Sequence, residues 1–143
     1  MAFNAIDGML AKEFNQQSQL GAYYNELSDV ISDNALYLSL LAFAVLSTPL
    51  LLLMVFMAIL SEYTGVMAPL IGAERRYDGP MGKSDRAFWL SFLSLMIWVF
   101  PWISKQQQIL LYLANGLLGL MSVLLLLTIY NRIHNSLDRS VSQ

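Results

Sequence analysis

Residues 34–61 read NALYLSLLAFAVLSTPLLLLMVFMAILS, and the fold turns on whether this stretch makes one helix or two. No residue in it carries a formal charge. About twenty apolar residues cross a bilayer core, so the run could be one long span or parts of two. Its middle, LSTPL at 46–50, puts Pro49 where a helix restarts after a turn. Proline suits the first helical turn because the N–H it lacks has no helical partner there. A hairpin then uses 26–46 as one helix and 49–71 as the next. Two further apolar runs follow, AFWLSFLSLMIWVFPWI at 87–103 and QILLYLANGLLGLMSVLLLLTIY at 108–130. The first of them ends on an aromatic, proline-containing edge suited to a membrane interface.

Basic residues decide between hairpin and single helix. The hairpin gathers Lys12, Arg75, Arg76, Lys83, Arg86, Arg132 and Arg139 on one side and leaves only Lys105 opposite. A single helix would split them six against two. Cytoplasmic loops accumulate Lys and Arg, so the seven-to-one arrangement is preferred. It also brings the opening segment and the basic loop at 72–86 to one membrane face.

Composition agrees with lipid as the main solvent. Of 143 residues, 57% are hydrophobic and 13% charged, against about a quarter charged in soluble domains. Mean hydropathy is +0.54. A net charge of -2 gives no basis for a nucleic-acid partner. The absence of cysteine excludes disulfides, zinc thiolates and cysteine nucleophiles. Asp7, Lys12 and Glu13 interrupt the first twenty residues, which do not read as a secretory signal, so insertion relies on the later runs. The expected fold is all-α: a polytopic transmembrane helix bundle in one membrane domain over 1–143. It has about four complete spanning helices, preceded by the end of a truncated N-terminal helix.

The opening segment carries the chemistry. Residues 7–29 read DGMLAKEFNQQSQLGAYYNELSD. Asn4, Asp7, Gly8 and Ala11 follow helical i, i+3, i+4, i+7 spacing. Gly21, Asn25, Asp29 and Asp33 follow i, i+4, i+8, i+12, roughly one face. The short polar connection EFNQQSQL lets the two helical ends stand side by side, so Asp7 and Asp29 would face each other near the cytoplasmic boundary. Two carboxylates with amide oxygens beside them suit a hard divalent cation that also binds substrate phosphates. Gly8, Ala11 and Gly21 add no bulk, and Lys12 could contact a phosphate. Such a site stabilises a pyrophosphate leaving group while a spare carboxylate deprotonates an attacking hydroxyl. Solvated helix-end acids and lipid-packing glycines are the competing reading. Asp33 weighs against it, because that acid lies one turn deeper towards hydrocarbon, where ionisable groups are costly.

The spacing DG-x2-A-K-x8-G-x3-N-x3-D resembles the CDP-alcohol phosphatidyltransferase signature, D-x2-D-G-x2-A-R-x8-G-x3-D-x3-D. The resemblance implies a helical membrane enzyme, commonly a homodimer, that uses magnesium or manganese. Such enzymes move a substituted phosphate from a CDP-linked lipid donor, such as CDP-diacylglycerol, to a small alcohol acceptor and release CMP. The implied place is the bacterial cytoplasmic (inner) membrane, with the active site facing the cytoplasm. Asp7 matches the second family aspartate and Asp29 the fourth, the general base for the acceptor hydroxyl. Gly8, Ala11 and Gly21 match nucleotide-facing positions, and Lys12 stands where the family has arginine. Asn4 and Asn25 occupy the first and third aspartate positions, so the implied metal set is Asn4, Asp7, Asn25 and Asp29. Each asparagine keeps a carbonyl oxygen but removes one negative charge, which weakens metal binding or reduces the number of metals held. Glu26 points about 100° from Asn25 on an ideal helix. The family normally has six spanning helices and its signature begins near the end of the second. Only three residues precede Asn4 here, so the chain is expected to correspond to the C-terminal two-thirds of a member.

Outside that segment, Glu62 reads either as a polar contact to the acceptor or metal-site network, or as a hydrogen-bonded packing residue. Arg75, Arg76, Lys83 and Arg86, in a loop broken by Gly79, Pro80 and Gly82, read as anion contacts or as topology determinants touching headgroups. Asp33 is a further substrate-contact candidate. Asp85 reads as a cap for the next helix. His134 reads as interfacial, 141–143 as a frayed tail, and Trp89, Trp98 and Trp102 as packing or lipid-facing. Two other functions are open: an inactive membrane protein that folds or pairs through the same helices, and a transporter using Glu62 and Asp33 as a proton relay.

Overall fold

The run at 34–61 does break. A computed structural model describes residues 19–140, and its α-helices are α1 (Gln19–Ser39), α2 (Thr48–Met67), α3 (Lys83–Ile103) and α4 (Gln107–Ser140). Short 3-10 turns at Leu40–Ala42 and Ala68–Ile71 follow α1 and α2. No strand occurs among the described residues. The chain divides into two units, Met1–Ala35 and Leu36–Gln143.

The break has a local cause and a remote tie. Phe43 is extended (φ -92°, ψ 104°), as is Ser47 (φ -70°, ψ 112°), and Pro49 then stands in the first turn of α2. Between them, Phe43 N–H donates to the Leu40 carbonyl and Leu46 N–H to the Phe43 carbonyl, both at 3.0 Å. Asn115 of α4 satisfies what the turn leaves over. Its Oδ1 accepts the Ser47 N–H at 2.7 Å, and its Nδ2 donates to the Val45 carbonyl at 3.0 Å. Backbone groups at membrane depth need protein partners. Asn115→Leu is therefore expected to cost about 1–2 kcal/mol, read from denaturant unfolding in mixed micelles. A variant as stable as the parent would remove Asn115 as the tie.

Among the described residues, three helices are long and apolar enough to cross a membrane: Thr48–Ile71, Lys83–Ile103 and Gln107–Asp138. The all-α bundle of apolar helices is as expected, and the fourth described helix, α1, is the one that does not meet that measure. The helix expected at 26–46 is α1, described over Gln19–Ser39, and it carries Asn25, Glu26, Asp29 and Asp33, too polar a sequence to qualify. The 49–71 boundary holds, closed by Gly72 at φ 80°, whose N–H donates to the Pro69 carbonyl. α3 starts four residues before the expected 87, because the Asp85 carboxylate accepts the Gly82 N–H at 2.9 Å and caps the helix. α4 continues ten residues past 130.

Each span buries one stripe. On α2 this is Leu51, Met54, Val55, Ala58, Ser61 and Gly65; on α3, Arg86, Leu90, Leu93 and Ile97. On α4 it is Leu110, Ala114, Leu118, Met121, Leu125, Thr128, Arg132 and Ser136. Apart from the adjacent Met54 and Val55, the steps are threes and fours, the period of a single helix face. Only 22–33% of each apolar window is buried, so the remaining apolar surface is built for lipid. Between such helices the attraction is close packing rather than exclusion of water, which suits Ala58, Ser61 and Gly65 at the α2 contact face.

Candidate functional site

Within the first unit, the described residues begin at Gln19. α1 realises the helical spacing of Gly21, Asn25 and Asp29, with a drift of about 40° per four-residue step. The three therefore share a sector of about 80°, and Asp33 lies one further step round. Ser28 and Ser32 turn their hydroxyls back on the helix, donating to the Asn25 and Asp29 carbonyls at 3.0 and 3.1 Å. Asn4, Asp7, Gly8, Ala11 and Lys12 lie outside the described residues, so the expected approach of Asp7 to Asp29 lies there too. Asn25 and Asp29 offer a carboxamide and a carboxylate oxygen one turn apart, which is the hard donor chemistry of a magnesium site. Among the described residues no group of three or more His, Cys, Asp or Glu side chains could hold a metal ion.

The second unit holds a buried polar cluster at the end of the spans where the basic loop lies. Arg86, 1% exposed, donates from Nη2 to Glu62 Oε1 at 2.5 Å and from Nε to the Tyr37 hydroxyl at 3.3 Å. Tyr37 belongs to the last turn of α1, so one guanidinium joins three helices. Glu62, expected as an acceptor contact or a packing residue, is engaged in this pair. Arg132 of α4, also buried, donates from Nη1 to the Ser61 carbonyl and from Nε to the Asp78 carbonyl at 3.0 Å.

The basic loop is not a loosely solvated topology signal. Arg76 N–H donates to the Gly65 carbonyl at 3.2 Å, and Met81 N–H to Thr128 Oγ1 at 2.9 Å. Both glycines there are required by contact. A Cβ on Gly65 would lie 2.5 Å from the Arg76 carbonyl oxygen, and one on Gly79 (φ 124°) 2.5 Å from Thr128 Cγ2. Arg76 Nε pairs with Asp78 Oδ1 at 3.2 Å, and Arg75 lies 4.8 Å over the Tyr77 ring. Lys83 opens α3. His134, exposed, pairs with Asp138 at 3.0 Å and packs beside Tyr130.

Arg86 was read from sequence only as one of the loop cations, and Arg132, Tyr37, Asp78 and Asn135 were not singled out as site residues. A signal existed for Arg132. The apolar stripe of α4 keeps its three-and-four step through Thr128 to Arg132 and Ser136, so the period alone places that arginine on the buried face. Nothing comparable marks Asp78 and Asn135, whose contact joins residues 57 apart in the chain.

Comparison with known proteins follows the same segments. The family model described as CDP-alcohol phosphatidyltransferase matches residues 1–132. The chain is 45% identical over 133 residues to "Inner membrane protein YnbA" of Escherichia coli (strain K12), covering 92% of this chain and 62% of that relative. It therefore spans less than two thirds of the relative's length. No solved structure matches.

Proposed function

Because this chain belongs to the CDP-alcohol phosphatidyltransferase family, we propose that it is an integral membrane phosphotransferase of phospholipid biosynthesis. It moves a phosphatidyl group from a CDP-linked lipid donor such as CDP-diacylglycerol to an alcohol acceptor and releases CMP. The observation that carries this reading is the extent of the family match: residues 1–132 take in the whole DG-x2-A-K-x8-G-x3-N-x3-D spacing. Its second half, Gly21, Asn25 and Asp29, lies in helical register on α1. The location is the inner membrane, after the name of the E. coli relative, with the opening segment and the loop at 72–86 facing the cytoplasm. The chain acts as one membrane domain corresponding to the C-terminal two-thirds of a member, and as a homodimer.

Asn25 and Asp29, with Asn4 and Asp7 from the opening segment, hold magnesium or manganese in this reading. When bound, the metal offsets charge on the donor pyrophosphate and on the departing CMP. Asp29 takes the proton from the acceptor hydroxyl. The freed oxygen forms a bond to the phosphorus that bears diacylglycerol, and the bond from that phosphorus to CMP breaks. Gly8, Ala11 and Gly21 leave room for the nucleotide, and Lys12 pairs with a phosphate oxygen. Arg75, Arg76, Lys83, Glu62 and Asp33 are the remaining substrate contacts of this proposal.

The chain reconstituted in vesicles with CDP-diacylglycerol, magnesium and a panel of small alcohols is expected to release CMP. Release should need both an alcohol and the metal, and fall to background on chelation. A chain that binds CDP but releases no CMP with any alcohol would be the inactive, helix-pairing member instead.

A further inference from the structure

We propose that Asp78 and Asn135 form a clamp that makes the connection 73–82 a phosphate-positioning strap, with the terminal guanidinium nitrogens of Arg76 as its working edge. A ten-residue connection between two spans needs no fixed shape, and holding one costs about 1–2 kcal/mol of backbone entropy per residue. Here it is held at both ends and in the middle. Arg76 N–H is tied to α2 through the Gly65 carbonyl, and Met81 N–H to α4 through Thr128. At the centre, Asp78 meets three side chains at once. Its carbonyl accepts from Arg132 Nε at 3.0 Å, its Oδ2 from Asn135 Nδ2 at 2.5 Å, and its Oδ1 faces Arg76 Nε at 3.2 Å.

The consequence falls on Arg76. Its side chain is only 13% exposed, and its Nε lies 3.2 Å from Asp78 Oδ1 as an ion pair without a hydrogen bond. No described residue takes a hydrogen bond or ion pair from either Nη nitrogen. A largely buried guanidinium, paired by charge at one edge with its fork left over, can present that fork to two phosphate oxygens, the geometry in which arginine binds phosphate best. Asn135 lies beyond residue 132, where the family match ends, while Asp78 and Arg132 lie within it. The inference rests on the phosphotransfer reading only for what carries the phosphate. A CDP-linked substrate and an anionic headgroup present the same oxygens.

The experiment follows deuterium uptake across 73–82 on the full chain in two settings. One uses phosphatidylcholine vesicles with CDP and magnesium; the other uses vesicles containing phosphatidylglycerol and no nucleotide. Slowed uptake in the first assigns the phosphate to substrate, and slowed uptake only in the second assigns it to lipid. Asn135→Leu should raise the concentration needed for half of that protection by about tenfold or more, the effect of losing a charge-assisted hydrogen bond. Protection of the α2 and α3 cores should match the parent, and Asn135→Gln, which keeps an amide donor, should recover most of the loss. Unchanged uptake in both settings, or an Asn135→Leu chain that responds at the parent's concentration, overturns the proposal. CMP release measured on the same vesicles separates the two ideas: protection without release sinks the phosphotransfer reading and leaves the strap standing.

Discussion

Asp29→Asn lowers CMP release by about 10²–10⁴-fold, the usual contribution of a general base. The substitution changes one property. Asparagine keeps the shape and a carbonyl oxygen but cannot accept the acceptor's proton at neutral pH. The backbone there is tied separately, by the Ser32 hydroxyl donating to the Asp29 carbonyl at 3.1 Å. Asp29 is also placed among the metal ligands, and the two roles separate by titration. Lost metal affinity is recovered by raising magnesium, whereas a lost base is not. A variant restored by magnesium keeps Asp29 as ligand only. Undiminished release at ordinary magnesium removes it from the chemistry altogether and leaves family membership untouched.

How far the sequence carries this protein depends on how local each cause is. The break within 34–61 was legible because Pro49 and the uncharged run both act within a few residues. The ends of α3 were legible in part: Asp85 announced its capping role, while the helix start at Lys83 follows from that cap rather than from the apolar run at 87–103. The polar load of α1 was less legible, because Asn25, Glu26, Asp29 and Asp33 are spread along the helix and lower its apolar character throughout. Within the candidate site, the register of Gly21, Asn25 and Asp29 was legible, because a helix converts spacing into direction. The buried cluster was not. Arg86 and Arg132 counted as topology charges, since charge in a terminal turn normally lies in water or among headgroups. Their burial depends on partners far along the chain: Tyr37 and Glu62 for one, Ser61 and Asp78 for the other.

Glu62→Leu is expected to cost about 3–5 kcal/mol of stability, the penalty for leaving a buried charge unpaired. Arg86 is the charge left behind. It is 1% exposed, Glu62 is its ion-pair partner, and its Nη1 already lacks a protein partner among the described residues. Only the Tyr37 hydroxyl, at 3.3 Å, would remain. Replacing both members, as Glu62→Leu with Arg86→Met, should recover most of the loss, because a buried pair exchanged for apolar side chains of similar size is often neutral. Unfolding of the single and double variants in mixed micelles decides this. A double variant no more stable than Glu62→Leu would show that the pair does not account for the loss. The same double variant also separates the two roles offered for Glu62. With the fold restored, CMP release near the parent's level assigns the carboxylate to packing alone. Release that stays lost in a stable chain assigns the cluster around Glu62 and Arg86 to the acceptor as well, because stability and turnover then part at a single pair of residues.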